Sequence, residues 1–276
     1  MHLSSTTTLH NGVKIPWLGL GVYKVEDGSE IVSTVKSALE LGYRSIDTAA
    51  LYDNEEGVGQ AIHESGIKRE DIFVTTKVWN SDQGYENTLK AFDESLKKLG
   101  LDYVDLYLIH WPVPGKYKDT WKALEEIYTQ GKARAIGVSN FMTHHLEDVL
   151  KDAKVKPMVN QVEFHPKLYQ KELLDYCRSN NIQLEAWSPL ARGRYLDDPI
   201  LTEIATKYNK SVAQVMIRWD YQHGIVTIPK STKKHRQKEN ADIFDFELTF
   251  EDMEKINNLN EDFRTGKHPD EFDYGV

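Results

Sequence analysis

Four polar side chains stand at or just after the ends of apolar or β-branched runs. Asp47 ends the run SID at 45–47, Lys77 lies near the end of VTTKV at 74–78, and His110 closes LYLIH at 106–110. Tyr52 follows Asp47 by one short loop. A phenol ionises near pH 10 and is a poor acid at neutral pH. A neighbouring ammonium stabilises the phenolate and lowers that value. An aspartate behind the lysine keeps it charged and oriented, since buried carboxylates and ammonium groups are rare unless paired. Asp47, Tyr52, Lys77 and His110 thus compose a proton donor with its tuning partners, with His110 orienting a carbonyl oxygen or sharing the proton. Taken singly, each has a plainer role. Lys77 could snorkel at a rim, Asp47 could cap a turn, and His110 could be a satisfied core residue.

Such a constellation needs a scaffold that brings separate strand ends together. The chain alternates short β-branched runs with helical stretches. The runs cover 17–21, 45–47, 72–78, 104–109, 133–139, 158–163, 183–187 and 225–229. The first is weak because two of its residues are glycine. Between them, 30–41 places Ile31, Val35, Ala38 and Leu39 on one stripe. Likewise 85–100 aligns Leu89, Phe92, Leu96 and Leu99, with Gly100 where a C-terminal glycine belongs. Ser211 to Gln214 is a capping-box pattern. This alternation implies parallel strands and right-handed crossovers, and eight strands at this length predict a (β/α)8 TIM barrel. A β-hairpin at 7–15 turning at Asn11-Gly12, an extra C-terminal helix at 249–259 and an irregular C-terminal tail at 264–276 complete the expectation. No linker divides the chain, so 1–276 reads as one domain. In such a barrel the site lies at the C-terminal strand ends, where Ser139-Asn140, Gln161 and Trp187-Ser188 also fall.

Composition narrows the function. The 276 residues carry a net charge of −9, which disfavours nucleic-acid binding by bulk charge. One cysteine, Cys177, excludes an intramolecular disulfide and a Cys-rich zinc site; it reads as a packing residue. His144-His145 and Glu163-Phe-His165 lack metal-ligand spacing, so no metal is expected. With no secretory signal pattern and no membrane-spanning run, a cytoplasmic protein is expected. A large apolar helix face is lacking, so a monomer is expected. GLGVYK at 19–24 begins like a Rossmann fingerprint but ends in Lys24 and is not one.

GYRSIDTAALYDNE at 42–55 resembles the signature of the aldo-keto reductases. LYLIHWP at 106–112, GVSNF at 137–141, NQVEFHP at 160–166 and IPKSTK at 228–233 match further motifs of that family, in order. The likeness is greatest to its bacterial glyoxal/methylglyoxal and diketogluconate reductases. The resemblance implies a (β/α)8 barrel that reduces aldehydes and ketones with NADPH. It makes Tyr52 the general acid, tuned by Lys77 and Asp47, with His110 orienting the substrate oxygen. Ser139, Asn140 and Gln161 would hold the nicotinamide carboxamide. Trp187 would stack on the nicotinamide, where the family commonly has Tyr, and Ser188, Leu190 and Gly193 would cover the pyrophosphate. Lys230, Ser231 and Arg236 would grip the adenosine 2′-phosphate, with Glu239 and Asn240 at the adenine. Tyr23, Trp79 and Trp111 would line the substrate pocket with His110. Tyr23 departs from the Trp of many mammalian members, and Arg192 and Arg194 add two charges to the pyrophosphate loop.

The charge pattern agrees with a phosphate ligand. Residues 230–238 gather Lys230, Lys233, Lys234, Arg236 and Lys238 in an acidic chain. They follow a strand and enter a helix, whose N-terminus favours anions. The alternative is a solvated basic helix face. Two rival functions share the residues: a Schiff-base aldolase using Lys77, and a low-turnover NADPH-binding redox-sensing subunit.

Overall fold

The computed structural model describes residues 2–274. An antiparallel hairpin comes first, β1 (Thr6–Thr8) against β2 (Lys14–Pro16), with Thr7 opposite Ile15. The parallel strands are β3 (Leu20–Gly21), β4 (Ser45–Asp47), β5 (Phe73–Val78), β6 (Val104–Ile109), β7 (Ala133–Ser139), β8 (Val159–Glu163), β9 (Gln183–Trp187) and β10 (Val226–Thr227). They pair in chain order. The ring closes between its first and last members. Leu18 bridges Thr227, the Gly19 N–H donates to the Thr227 carbonyl at 2.9 Å, and the Thr227 N–H donates to the Trp17 carbonyl at 3.0 Å. The (β/α)8 barrel is therefore complete.

Both seam strands are only two residues long, against the five expected for each. The glycines of the first strand account for its weak pattern. A Cβ on Gly19 would lie 2.9 Å from Ser45 Oγ, and one on Gly21 would lie 2.8 Å from the Ile228 carbonyl oxygen. Close approach at the seam demands residues without side chains.

Helices α1 (Ser29–Leu41), α2 (Glu55–Glu64), α3 (Tyr85–Leu99), α4 (Tyr117–Thr129), α5 (Thr143–Leu150) and α6 (Lys171–Ser179) form the crossovers up to β9. The anticipated stripe of α1 is buried, and so are Phe92 and Leu99 of α3, while Leu89 and Leu96 are half-buried against the core. Gly100 ends α3 with a left-handed φ of 63°. Between β9 and β10 the chain makes two helices, α7 (Pro199–Tyr208) and α8 (Val212–Gln222). The expected capping box opens α8: Gln214 N–H donates to Ser211 Oγ at 3.3 Å and Ser211 N–H to Gln214 Oε1 at 2.8 Å. After β10 come α9 (Lys234–Ala241) and α10 (Phe250–Asn257).

The expected extra helix is α10, but it is not the one addition. It packs on α7, where buried Asp252 receives Lys207 Nζ at 2.7 Å and the Tyr208 hydroxyl at 2.5 Å. The expected irregular tail is present to Tyr274, broken by a single turn at Pro269–Glu271; the last two residues lie outside the described range. Among the described residues, no helix is long and apolar enough to cross a membrane.

Strand register aligns the polar residues of the barrel interior. Asp47 pairs with Thr75, Lys77 with Leu108, Ser139 with Gln161, and Gln161 with Glu185. Side chains two residues apart share a face, so one face of each strand delivers these groups to the barrel axis.

Candidate active site

The tetrad expected from the sequence comes together at the barrel mouth. Lys77 Nζ donates to Asp47 Oδ1 at 2.6 Å, to the Thr48 carbonyl at 2.9 Å and to the Tyr52 hydroxyl at 3.3 Å. Both ionic partners are buried, Lys77 fully. Strands β4 and β5 carry Asp47 and Lys77 at or near their C-terminal ends, and the short turn Ala50–Tyr52 folds the phenol back over the ammonium. His110, just after β6, packs edge-on to Tyr52 with centroids 5.7 Å apart.

Burial opposes the charge on Lys77, but Asp47 and Tyr52 outweigh it and the ammonium is stabilised above its ordinary pKa. Burial, reinforced by Lys77, pushes His110 well below the imidazole range, so its ring is neutral at pH 7. For Tyr52 the expected lowering by Lys77 exists, but burial dominates and Asp47 opposes it. The phenol therefore sits above its ordinary value. Tyr52 keeps its proton at neutral pH, which is the form a donor needs. The protonated state of Lys77 is the wrong one for a Schiff-base nucleophile, which requires a depressed pKa.

Aromatic residues ring the opening. Tyr23 lies 5.0 Å from Tyr52 and Trp79 lies 5.1 Å from His110, centroid to centroid. Trp111 stacks on Phe272 of the tail at 4.5 Å. The tail is anchored by buried Glu163 at the end of β8, which accepts from the N–H groups of Thr265 and Gly266 at 2.6 and 3.0 Å and from the Thr265 hydroxyl. His144 and His145 on α5 also face the tail, their Nε2 atoms 3.0 and 3.4 Å from Asp270 Oδ1.

The residues matched to nicotinamide binding form one network beside the tetrad. The Ser139 hydroxyl donates to the Gln161 carbonyl at 2.8 Å, and Asn140 Nδ2 donates to the His110 carbonyl at 2.9 Å. The half-buried Trp187 donates its indole N–H to Asn140 Oδ1 at 2.9 Å. Beyond Trp187 the loop turns through left-handed φ at Ser188, Ala191, Arg192 and Gly193. Leu190 packs down on the core, while Arg192, Gly193 and Arg194 are exposed.

The 230–238 segment lies at the seam. Ser231 is buried and takes the Lys233 N–H at 3.1 Å. Lys230 and Arg236 are exposed and, among the described residues, have no ion-pair partner, whereas Lys234 pairs with Glu40 at 2.7 Å. No side chain caps the N-terminus of α9, which leaves its first-turn N–H groups to a ligand or solvent. Glu239 is half-buried and Asn240 buried at the other end of α9. A dinucleotide phosphate fits this donor set: unpaired cations beside an uncapped helix end.

Sequence reasoning passed over Glu185. It is buried in β9, and Gln161 Nε2 donates to it at 2.9 Å and to Asp47 Oδ2 at 2.7 Å. Its signal was available, two residues before Trp187 on the same strand face. The contacts of Glu163, His144 and His145 with the tail, and of Phe272 with Trp111, join residues far apart in the chain, and no local pattern announces them.

Comparison with known proteins adds an independent line. The model of the aldo/keto reductase family matches residues 18–261. Glyoxal reductase of Bacillus subtilis (strain 168) is 67% identical over 269 residues, covering 98% of each chain. Methylglyoxal reductase DkgA of Escherichia coli (strain K12) is 44% identical over 268 residues, covering 96% of each. A Bombyx mori aldo-keto reductase solved in complex with NADP superposes with a TM-score of 0.91 at 39% identity, covering 98% of this chain and 97% of that one.

Proposed function

Because the chain belongs to the aldo/keto reductase family, we propose that it is an NADPH-dependent reductase of small carbonyls, glyoxal and methylglyoxal first among them. The observation that carries the reading is the Tyr52 hydroxyl hydrogen-bonded by Lys77 Nζ, which is itself pinned by Asp47. When bound, NADPH supplies the hydride that reduces the carbonyl carbon. Tyr52 gives its proton to the developing alkoxide, and Lys77 then stabilises the phenolate left behind. Asp47 fixes Lys77, and neutral His110 places the carbonyl oxygen within reach of the phenol. Ser139, Asn140 and Gln161 would hold the carboxamide, with Trp187 against the ring. Ser188, Leu190 and Gly193 would cover the pyrophosphate. Lys230, Ser231 and Arg236 would hold the 2′-phosphate, and Glu239 and Asn240 the adenine.

The aromatic rim of Tyr23, Trp79 and Trp111, with Phe272 laid over Trp111, suits small substrates. The names of the relatives point the same way. A cytoplasmic monomer belongs to the same reading, and light scattering of the purified chain tests the oligomeric part. The decisive experiment is NADPH oxidation screened over glyoxal, methylglyoxal, aromatic aldehydes, aldoses and keto sugars. Turnover highest on the two dicarbonyls is expected. Turnover confined to sugars would displace the substrate assignment, and covalent borohydride trapping at Lys77 would restore the aldolase.

A further inference from the structure

The four-residue site does not end at Asp47. Asp47 spends Oδ1 on Lys77 and Oδ2 on Gln161 Nε2, at 2.6 and 2.7 Å. The same amide nitrogen reaches Glu185 Oε2 at 2.9 Å. A primary amide nitrogen has two hydrogens, so both are committed, one to each carboxyl group. A continuous line of hydrogen bonds thus runs from the Tyr52 hydroxyl through Lys77, Asp47 and Gln161 to Glu185, across β5, β4, β8 and β9. Asp47, Lys77, Gln161 and Glu185 are all buried.

We propose that Glu185 is a positioning residue of the reductase site: it holds the Gln161 amide, which in turn holds Asp47 and Lys77 in line with Tyr52 and keeps the amide oxygen turned away from the carboxyls. The inference rests on the reductase reading above. Without Glu185 one N–H of Gln161 is buried and unpaired, and the amide is free to turn over, exchanging its oxygen and nitrogen. Either movement loosens Asp47 and changes what Gln161 presents to the nicotinamide side.

The charge on Glu185 matters as well as its position. Burial, with the nearby Asp47 carboxylate, raises its pKa to about 8, while Gln161 and Lys77 pull the other way. Asp47 from β4 and Lys77 from β5 are the charged groups acting on it; β8 contributes the neutral Gln161, and β10 pairs Val226 beside it. At pH 7 Glu185 is therefore largely neutral, and Asp47 is left as the partner of Lys77. Above pH 8 a second negative charge enters the line. It disfavours the phenolate that forms when Tyr52 gives up its proton, so reduction slows. Of the other site groups, Tyr52 and Lys77 are shifted upward and His110 far downward, away from this range.

The test is kcat and KM for NADPH between pH 6 and 10, with methylglyoxal as substrate, for the wild-type chain, Glu185→Gln and Glu185→Leu. The expected wild-type kcat falls with an apparent pKa near 8, and Glu185→Gln lacks that limb. Glu185→Leu loses roughly tenfold in kcat and raises KM for NADPH, and Glu185→Gln recovers at least fivefold of the kcat lost. Superimposable pH profiles for wild type and Glu185→Gln overturn the proposal, and so does a Glu185→Leu enzyme within twofold of wild type in both parameters. If Glu185→Leu does not fold, the Glu185→Gln profile decides alone. A wild-type chain that oxidises no NADPH with any small carbonyl sinks the reductase reading and this inference with it; an active wild type with unchanged variants sinks this inference only.

Discussion

The Tyr52 hydroxyl lies 3.3 Å from the Lys77 ammonium, yet burial keeps the phenol above its ordinary pKa. On the proposed mechanism the ammonium therefore acts after the proton has left, when it faces a phenolate, and not by ionising Tyr52 beforehand. Tyr52→Phe keeps the ring against Tyr23 and removes the proton. We expect kcat for aldehyde reduction to fall by about 10²–10⁴, the usual worth of general acid catalysis, with NADPH affinity nearly unchanged. Stopped-flow turnover and a cofactor titration measure the two quantities. Residual kcat within about threefold of wild type would remove Tyr52 from the role.

Lys77→Met keeps the stem and deletes the charge. Asp47 is 2% exposed and would lose its cationic partner, keeping Gln161 alone. Breaking a buried pair from one side costs about 3–5 kcal/mol, so stability should fall along with rate. Urea denaturation followed by fluorescence checks the first and NADPH oxidation the second. A variant as stable and as active as wild type would make Lys77 a rim residue.

The sequence already carried much of this site, and the reason is geometric. Asp47, Lys77 and His110 stood out because each is a polar residue at or just past the end of a β-branched or apolar run, where barrel topology converges. The net shift of Tyr52 was not legible, because the sign depends on how completely the neighbours bury the phenol, which spacing does not encode. Helix α7 escaped because the crossover it interrupts already had a helix in α8, well marked by its capping box. The Glu163 clasp on Thr265 joins residues 102 positions apart, beyond any local pattern. Glu185 was different. Strand alternation sets Glu185 on the same face as Trp187, two residues on in the seventh barrel strand, so its place beside the site is readable from spacing alone.

The clasp between the two added helices gives a pH test of stability. Burial disfavours the Asp252 carboxylate, but hydrogen bonds from Lys207, Tyr208 and Thr249 outweigh it, and its pKa falls from 3.8 to about 2. A carboxyl lowered on folding contributes stability that is fully present above its unfolded pKa and lost as pH falls through the folded one. The shift is worth about 2 kcal/mol. Asp252→Asn should lower Tm at pH 7 by roughly 4–8 °C. The gap between variant and wild type should close as pH drops from 5 to 2. A gap that stays constant over this range would assign the loss to packing and not to charge.

NADPH differs from NADH by a 2′-phosphate, and a chain of net charge −9 must supply local cations to hold it. Lys234 is engaged by Glu40 at 2.7 Å, which removes one candidate from the basic segment. Arg236 is exposed on the first turn of α9 and unpaired among the described residues. Its planar fork can bind phosphate through two donors at once, where a lysine acts as a point charge. A charge-assisted hydrogen bond is worth about 1.5–3 kcal/mol, or roughly 10- to 150-fold in affinity. Arg236→Ala should therefore weaken NADPH binding by about that factor and leave NADH binding nearly unchanged. Because the side chain is exposed, the wild-type preference should also shrink at high salt. Fluorescence-quenching titrations of both cofactors, at low and high ionic strength, measure the effect. Equal losses for NADPH and NADH would mean that Arg236 supports α9 or the adenine, and the 2′-phosphate would have to be sought at Lys230 or Lys233 instead.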